Sequence, residues 1–358
     1  MKKTILFILL LGVISCNKNI EPELPENLFE KYKSSVVLIV NQYYYVIQSG
    51  EDTYYYSPSS HEKIFTSEEE VLKNLSMSTG TGFIISNEGE IITNRHVVNP
   101  KDENYKKELY SYYQIYITDL SKKAAMYNDS IESIKSYYYE NSSSMDDYQK
   151  EEVEKKYKYL SEAKSIIENF GGELQKVDFS EADIKLVSVN IGIAYDNTFV
   201  KDWEDLQECV VIKESEDDNV DLALIQTKNK SFNIEPDFIF NFQDNNPNVI
   251  ENPENNKERD IKKPVKINED VFMIGFNRGF SLANTKQGIK SQFTSGKISQ
   301  ENDGERILYT IPTLEGSSGS PIIDKWGNLV GVNFAKIKDS QNFSFGVPVN
   351  EVKKFYEE

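Results

Sequence analysis

The stretch Gly316–Pro321 reads GSSGSP, and the apolar pair Ile322-Ile323 follows it directly. Glycines on both sides of a serine let the backbone turn tightly and direct N–H groups towards a single point. The proline and the apolar pair favour a fixed loop that leads into a strand over a flexible linker. The stretch is therefore a candidate nucleophile loop, and composition alone leaves both Ser317 and Ser318 open as the reactive residue.

Two earlier segments contain the partners that such a serine needs. Thr93–Val98 reads TNRHVV and contains His96, and Asp221–Ile225 reads DLALI. A serine hydroxyl is a weak nucleophile until an adjacent base takes its proton, and histidine, with an ordinary pKa of about 6.5, suits that role. A buried carboxylate holds the imidazole in the required tautomer. Each segment alone is common in proteins without such a site, but their order, His, Asp and Ser, is that of the chymotrypsin-like proteases.

Four further segments resemble trypsin-like peptidases of the bacterial HtrA/Deg type. They are the glycine-rich strand before the histidine, two later strands and the closing strand: Ser78–Ile84, Phe293–Ser299, Gly327–Asn333 and Phe345–Val349. The resemblance extends from about Leu28 to Lys354 and is interrupted by insertions. It implies an all-β fold of two six-stranded antiparallel barrels, with the site in the cleft between them.

The same resemblance implies a role for each residue of the site. His96 would be the general base, Asp221 the carboxylate that orients it, and Ser318 the nucleophile. The frame Gly-x-Ser-Gly-x-Pro selects Ser318 over Ser317. The backbone N–H groups of Gly316 and Ser318 would form the oxyanion hole.

Three features of the sequence depart from better-known relatives. Ser317 stands where digestive relatives have an aspartate that pairs with a newly freed N-terminus, so we expect no activation by that ion pair. Pro312, six residues before Ser318, carries no charge, so a preference for Lys or Arg in the substrate is not expected. Only nine residues follow Val349, whereas a folded domain needs about 50, so we expect no C-terminal PDZ domain.

The N-terminus has the pattern of a secretion signal. A basic start precedes an apolar run, Thr4–Ile14, which is too short to span a bilayer and ends at Ser15-Cys16. This pattern resembles a bacterial lipoprotein signal, and an ordinary signal peptide with an incidental cysteine is the alternative. We expect a signal peptide over residues 1–15, a lipidated Cys16, a tether over residues 16–27 and a lipid-anchored location at the cell envelope.

Short strand-like segments separated by turns predict the arrangement of the two barrels. We expect the first barrel in residues 28–227 and the second in residues 267–358. Residues 228–266 are rich in Asn, Pro and Asp and are expected to be a linker or long loop. Residues 50–80 are polar and are also expected to be a long loop.

Residues 121–172 differ from the sequence around them, because apolar and aromatic side chains recur there at helical spacing in two runs. Ser144 is the expected N-cap of the second helix, and Gly171-Gly172 is its expected end. On either side, Tyr113–Ile117 and Ile184–Val189 have the pattern of strands. We therefore expect a helical hairpin inserted in the first barrel, which is the place to look for a protein partner.

The composition excludes several classes of function. Lys and Arg number 40 against 58 Asp and Glu, and the net charge of −18 repels nucleic acid. The chain has two Cys and two His, which excludes a Cys/His zinc finger and an iron–sulfur cluster. Asp217-Asp218 lacks the spacing of a calcium loop. We expect no metal and no cofactor, and a lipidated Cys16 would leave Cys209 without a disulfide partner.

The leading hypothesis is a serine endopeptidase that hydrolyses peptide bonds of protein or peptide substrates. The alternative is a lipoprotein with a protease fold, whose helical insertion binds a partner and whose catalysis is weak or regulated. A third class, a glycan-binding surface protein, is favoured only by the tyrosines, of which 18 of 22 lie between Tyr43 and Tyr159. Amphipathic cover over a polar insertion is the simpler explanation of these tyrosines.

Overall fold

The computed structural model describes residues 22–60, 63–99, 105–178, 181–217, 219–240, 266–300, 304–336 and 343–358. The expected signal peptide, Cys16 and the first half of the expected tether lie outside these residues, as does most of the expected linker. Among the residues described, no helix is both long and apolar enough to cross a bilayer.

The first barrel is a closed antiparallel sheet. Its strands are β1 (Val36–Ser49), β2 (Asp52–Tyr56), β3 (Ile64–Phe65), β4 (Ser76–Ile84), β5 (Glu90–Thr93), β6 (Asp183–Tyr195), β7 (Gln207–Glu214) and β8 (Ala223–Thr227). Their order is β3-β2-β1-β4-β5-β8-β7-β6, and a further pairing of β1 with β6 closes six of them into a barrel. Three helices accompany this part of the chain: α1 (Pro25–Tyr32), α2 (Glu68–Leu72) and α3 (Arg95–Val98).

The expected long loop over residues 50–80 is wrong, since the segment contains β2, β3, α2 and the beginning of β4. Its aromatic and apolar side chains explain the difference. Tyr54, Tyr56 and Phe65 are all buried, so a stretch that is polar in composition still has enough apolar surface to pack. These strands extend the sheet beyond the closed barrel.

The second barrel follows in residues 266–358. Its elements are β9 (Asp270–Gly275), α6 (Phe280–Ala283), β10 (Asn284–Thr285), β11 (Gly288–Ile289), β12 (Gln292–Lys297), β13 (Ile307–Tyr309), β14 (Pro321–Asp324), β15 (Leu329–Lys336), β16 (Ser344–Pro348) and α7 (Val349–Glu357). Six strands form a curled antiparallel sheet in the order β12-β9-β14-β15-β16-β13. A single bridge between Ile298 and Tyr309 joins its two ends. Together with the first barrel, this sheet confirms the all-β, chymotrypsin-like class.

The described part of the expected linker packs against the first barrel. The backbone N–H of Phe240 donates to the carbonyl of Ile84 at 3.0 Å. The rings of Phe238 and Phe240 lie 4.7 and 5.0 Å, centroid to centroid, from the ring of Tyr32 in α1. Residues up to Phe240 therefore belong to the folded body, because the Asn- and Pro-rich segment contains two aromatic anchors, the buried Phe240 and the half-buried Phe238.

The helical insertion is longer than expected. It consists of α4 (Tyr105–Asn141) and α5 (Asp147–Leu174), so Tyr113–Ile117 is helical and the expected strand there is wrong. The N-cap of α5 is Asp146, which forms a capping box with Gln149, and the expected cap at Ser144 is wrong. The helix also continues through Gly171-Gly172 to Leu174, because Leu174 is fully buried and packing there outweighs the low helix propensity of glycine.

The base of the hairpin packs on an extension of the first barrel. Buried side chains of α4 and α5 join those of β1, β2 and β6 in one apolar cluster that includes Ile47, Tyr54, Tyr56, Leu109, Tyr113, Leu174 and Ile184. The register of β1 against β6 shifts between Gln42 and Tyr43, where the barrel ends and this extension begins. The insertion is therefore attached to the barrel by its base, while its distal part makes contacts within the hairpin.

Removal of the distal hairpin should leave the barrels intact. Lys164 Nζ donates to Asn128 Oδ1 at 2.8 Å, which places these residues at the same level of the hairpin. Replacing residues 129–163 by a short Gly/Ser turn should change the free energy of unfolding by no more than about 1 kcal/mol, since the cost of loop closure varies slowly with length. Urea unfolding followed by tryptophan fluorescence measures this, because Trp203 and Trp326 both lie outside the hairpin.

Leu174→Ala is the control, because it truncates a fully buried side chain at the base of the hairpin. It should destabilise the protein by about 2–5 kcal/mol. An excised variant that loses as much stability as Leu174→Ala would show that the distal hairpin supports the barrel.

Candidate active site

Strand pairing brings His96 and Asp221 to the same end of the first barrel. In the antiparallel pair formed by β5 and β8, Thr93 is opposite Ala223. His96 follows Thr93 by three residues, in α3, and Asp221 precedes Ala223 by two. The buried side chain of Asn41 fixes α3 further, since its Nδ2 donates to the carbonyls of Val97 and Val98 at 3.2 and 3.1 Å. The pairing of two short strands and the amide of Asn41 therefore set the positions of His96 and Asp221.

The carboxylate of Asp221 binds His96 twice. The backbone N–H of His96 donates to Asp221 Oδ1 at 3.0 Å, and the imidazole Nδ1 forms a short hydrogen bond with Oδ2. Asn94 Nδ2 donates to the backbone carbonyl of Asp221 at 2.7 Å. Because an ionised carboxylate only accepts, Nδ1 carries the proton and Nε2 is the basic nitrogen. The His96 side chain is 42% exposed against 16% for Asp221, so the base is accessible and its orienting group is covered.

The nucleophile loop lies against the start of α3. Gly316 and Gly319 have φ values of +90° and +87°, which L side chains rarely adopt. A Cβ on Gly319 would overlap the carbonyl oxygen of Thr81, and one on Gly316 would overlap that of Phe276. Both glycines are therefore required by the conformation and by the close approach of neighbouring backbone.

Ser317 and Ser318 differ in their surroundings. Ser317 is only 1% exposed, and its hydroxyl donates to the carbonyl of Leu314 at 2.6 Å. Ser318 is half-buried, and its hydroxyl makes no hydrogen bond to another residue in the part of the chain that the structure describes. The hydroxyl of Ser317 is thus engaged in the loop, whereas that of Ser318 is available for reaction.

Asn333 and Tyr309 hold Ser317 in place. Ser317 stands where digestive relatives have an aspartate that pairs with a freed N-terminus. Asn333 Nδ2 donates to the carbonyl of Ser317 at 2.8 Å, and the Tyr309 hydroxyl donates to Asn333 Oδ1 at 2.6 Å. Burial raises the pKa of Tyr309 well above its ordinary value, so the hydroxyl remains a donor. These neutral hydrogen bonds fasten Ser317 to β15 and β13.

Two backbone donors of the loop are unused. Within the described residues, the N–H groups of Gly316 and Ser318 donate to no protein acceptor, whereas Ser317 N–H donates to Leu314 and Gly319 N–H to Asn333. The carbonyl of Glu315 accepts from the N–H of Arg278. Two N–H groups that flank a serine and have no partner are suited to bind a negatively charged oxygen.

The structure therefore brings His96 and Asp221 into direct contact and places the Ser318 loop beside them. The imidazole of His96 and the hydroxyl of Ser318, both in described segments, are not hydrogen-bonded to each other. Catalytic hydrogen bonds of this kind are often long in enzymes without substrate. Sequence reasoning did not assign a role to Asn94, Asn333 or Tyr309, although Asn94 and Asn333 lie in segments that carried the family resemblance.

Other reactive groups are less suited to catalysis. Burial raises the pKa of the Cys209 thiol to about 12, so it stays protonated and is a poor nucleophile at neutral pH. Among the described ranges, no group of three or more His, Cys, Asp and Glu side chains is arranged to hold a metal ion. Among the described residues, the arrangement of His96, Asp221 and the Ser318 loop is the candidate that suits acyl transfer.

Comparison with known proteins shows the following similarities. Residues 192–332 match the family model of the trypsin-like peptidase domain. The serine protease Do-like HtrA of Bacillus subtilis (strain 168) is 33% identical over 101 residues, which cover 26% of this chain and 22% of that protein. The crystal structure of the serine endoprotease from Yersinia pestis aligns with a TM-score of 0.45 and 14% identity, over 94% of this chain and 67% of that chain.

The family model covers the segment with Asp221 and the loop with Ser318, and its range begins after His96. The chain spans about a fifth of the length of the curated relative, so the likeness is to one part of that protein. The order of the three residues and the two-barrel architecture agree with the matched family. Residues 192–332 are therefore similar to the trypsin-like peptidase domain, and part of the chain is similar to an HtrA-type serine protease.

Proposed function

We propose that the protein is a serine endopeptidase that hydrolyses peptide bonds of protein substrates with His96, Asp221 and Ser318. The observation that carries the proposal is the double contact of the Asp221 carboxylate with His96, beside a loop with a free serine hydroxyl. The two unused N–H groups of Gly316 and Ser318 support it. The family match of residues 192–332 is independent of this geometry.

In the first half of the reaction, His96 Nε2 takes the proton of Ser318 as Oγ attacks the carbonyl carbon of the scissile peptide. The C=O electron pair moves to the oxygen, which the N–H groups of Gly316 and Ser318 stabilise. Asp221 stabilises the imidazolium and keeps its orientation. When the C–N bond breaks, the imidazolium gives its proton to the leaving amine, and an acyl-enzyme remains.

In the second half, water replaces the amine. His96 Nε2 takes a proton from the water as its oxygen attacks the acyl carbon, and the same N–H groups bind the new oxyanion. The bond to Ser318 Oγ then breaks, and the imidazolium returns a proton to the serine. The products are a new carboxylate and the regenerated site.

The proposed specificity follows from Pro312, which is exposed and uncharged. Without an acidic side chain at this position, the site gains no electrostatic preference for Lys or Arg. A substrate class that includes uncharged side chains next to the scissile bond is therefore part of the proposal.

A location at the cell envelope, with a lipid on Cys16, completes the proposal. The first described residues run along the folded body: Glu23 N–H donates to the carbonyl of Lys325 at 3.2 Å, and α1 follows directly. The tether would thus join the body beside the turn between β14 and β15.

The alternative function is partner binding by the helical insertion, with weak or regulated catalysis. Exposed aromatic and apolar side chains of α4 and α5 favour it, among them Met126, Tyr139, Tyr148, Tyr159 and Ile166. Tyr139 is 88% exposed, far more than packing on the barrel would allow. Both functions can reside in one chain, because none of the three proposed catalytic residues belongs to the helical insertion.

Substitution of the two serines tests the proposed chemistry. Ser318→Ala should abolish labelling by a fluorophosphonate probe and reduce cleavage of fluorescent casein by about 10⁴–10⁶-fold, since nucleophile and base act as a unit. Ser317→Ala should keep most of the activity and lower the free energy of unfolding by about 1 kcal/mol, because a buried hydrogen bond is lost. Active-site labelling and urea unfolding of the three proteins provide the measurements. If the two variants exchange behaviour, the nucleophile is Ser317.

Substitution of Cys16 tests the anchor. Cys16→Ala should move the protein from the membrane fraction to the soluble fraction while leaving the fluorophosphonate labelling rate unchanged, because Cys16 precedes the folded body. Metabolic labelling with an alkyne fatty acid, followed by fractionation, measures both the lipid and the location. A wild-type protein without acyl label, found wholly in the soluble fraction, would contradict the anchor.

A further inference from the structure

Thr81 is a fully buried residue of β4 at which three segments of the chain meet. Its hydroxyl donates to the carbonyl of Gly316 at 2.8 Å and accepts from the backbone N–H of Phe276 at 2.9 Å. Its own backbone N–H donates to the carbonyl of Ser318 at 2.8 Å. Its carbonyl accepts from the hydroxyl of Thr93 at 2.7 Å.

Two of these hydrogen bonds end on the two residues of the candidate oxyanion hole. They end on the carbonyls of Gly316 and Ser318, the two residues whose N–H groups are unused. A peptide unit is planar, so these contacts fix the peptides that follow Gly316 and Ser318, and the Ser317–Ser318 peptide, which carries the Ser318 N–H, is held between them. Glycine at position 316 has wide conformational freedom, and an external contact is needed to hold it at φ +90°.

The other two hydrogen bonds connect this loop with the rest of the site. Phe276 follows β9 in the second barrel, so the Thr81 hydroxyl ties two loops of the second barrel to a strand of the first. Thr93 ends β5, three residues before His96. The base and the nucleophile come from different barrels, and Thr81 contacts both sides: the hydroxyl of Thr93 near the base and the loop backbone near the nucleophile.

We propose that the Thr81 hydroxyl is a positioning group that sets the Gly316–Ser318 loop in the conformation needed to bind the oxyanion. This inference rests on the proposed serine-peptidase function. Thr81 itself would not touch the substrate, because it is fully buried behind the loop. It acts through the two donor residues, so its loss should weaken stabilisation of the transition state more than binding of the substrate.

The test compares Thr81→Val, which has the same shape without the hydroxyl, with Thr81→Ser, which keeps the hydroxyl and lacks the methyl. Burst kinetics with p-nitrophenyl acetate separate the acylation rate constant from the dissociation constant of the ester. Thr81→Val should lower the acylation rate constant by about 10–100-fold, as expected for misplaced oxyanion donors, with little change in the dissociation constant. Thr81→Ser should restore most of the rate.

Tyr32→Phe is the matched control for a general loss of stability. The Tyr32 hydroxyl is also buried and donates to a backbone carbonyl, that of Gly327, at 2.9 Å. Its contacts lie outside the 314–320 loop. Tyr32→Phe should lower the thermal midpoint, as Thr81→Val does, while acylation stays at the wild-type rate. If Thr81→Val does not fold, Thr81→Ala replaces it in the comparison with Thr81→Ser.

Three results would overturn the inference. Acylation of Thr81→Val at the wild-type rate would show that the hydroxyl does not position the loop. An equal loss in Thr81→Val and Thr81→Ser would assign the effect to packing of the methyl group. An equal loss in Tyr32→Phe would make it a consequence of lower stability. A wild-type protein that reacts no faster than Ser318→Ala would instead refute the proposed function, and the inference with it.

Discussion

The antiparallel pairing of β5 with β8 is the constraint on which the proposed site depends. It sets Thr93 opposite Ala223, and the distance along the chain from this pair places His96 and Asp221 within hydrogen-bonding reach. A shift of one residue in that register would turn every side chain of β8 to the opposite face. The buried residues Ile91 and Ile225, which are paired in the same register, hold it in place. The geometry of the base is thus a consequence of barrel packing.

The two-barrel class could be predicted because short apolar runs in the sequence identify its strands. Val36–Val40 and Val271–Gly275 are apolar runs that are buried as expected. Where the sequence-based prediction was wrong, the structure depends on contacts between residues that are far apart in the chain. Tyr113 looked like part of a strand, yet it packs in a cluster that joins α4 to β1 and β2. Phe240 lies in a polar segment, and its partner Tyr32 is some two hundred residues earlier in the chain.

The candidate site shows the same division. The residue types and order of His96, Asp221 and Ser318 are visible in the sequence, because the chemistry of acyl transfer restricts them. The groups that hold these residues in position are not visible in the sequence. Thr81 is an ordinary strand residue in the sequence, and its role depends on Gly316, which is 235 residues away. Asn333 likewise acts on Ser317 only through the packing of β15 beside the loop.

The shift in register between Gln42 and Tyr43 has a consequence for the whole outline of the molecule. The extra residue is Val189 of β6, and an extra residue bends its strand and increases the local twist. On one side of the bend, β1 closes the barrel and its Asn41 holds the helix of His96. On the other side, β1 supports the base of two helices, the longer of which spans about 55 Å at 1.5 Å per residue. A change of a few degrees in the bend at this point would move the far end of the helices by several ångströms. The direction in which the hairpin projects is therefore set by the strands of the barrel.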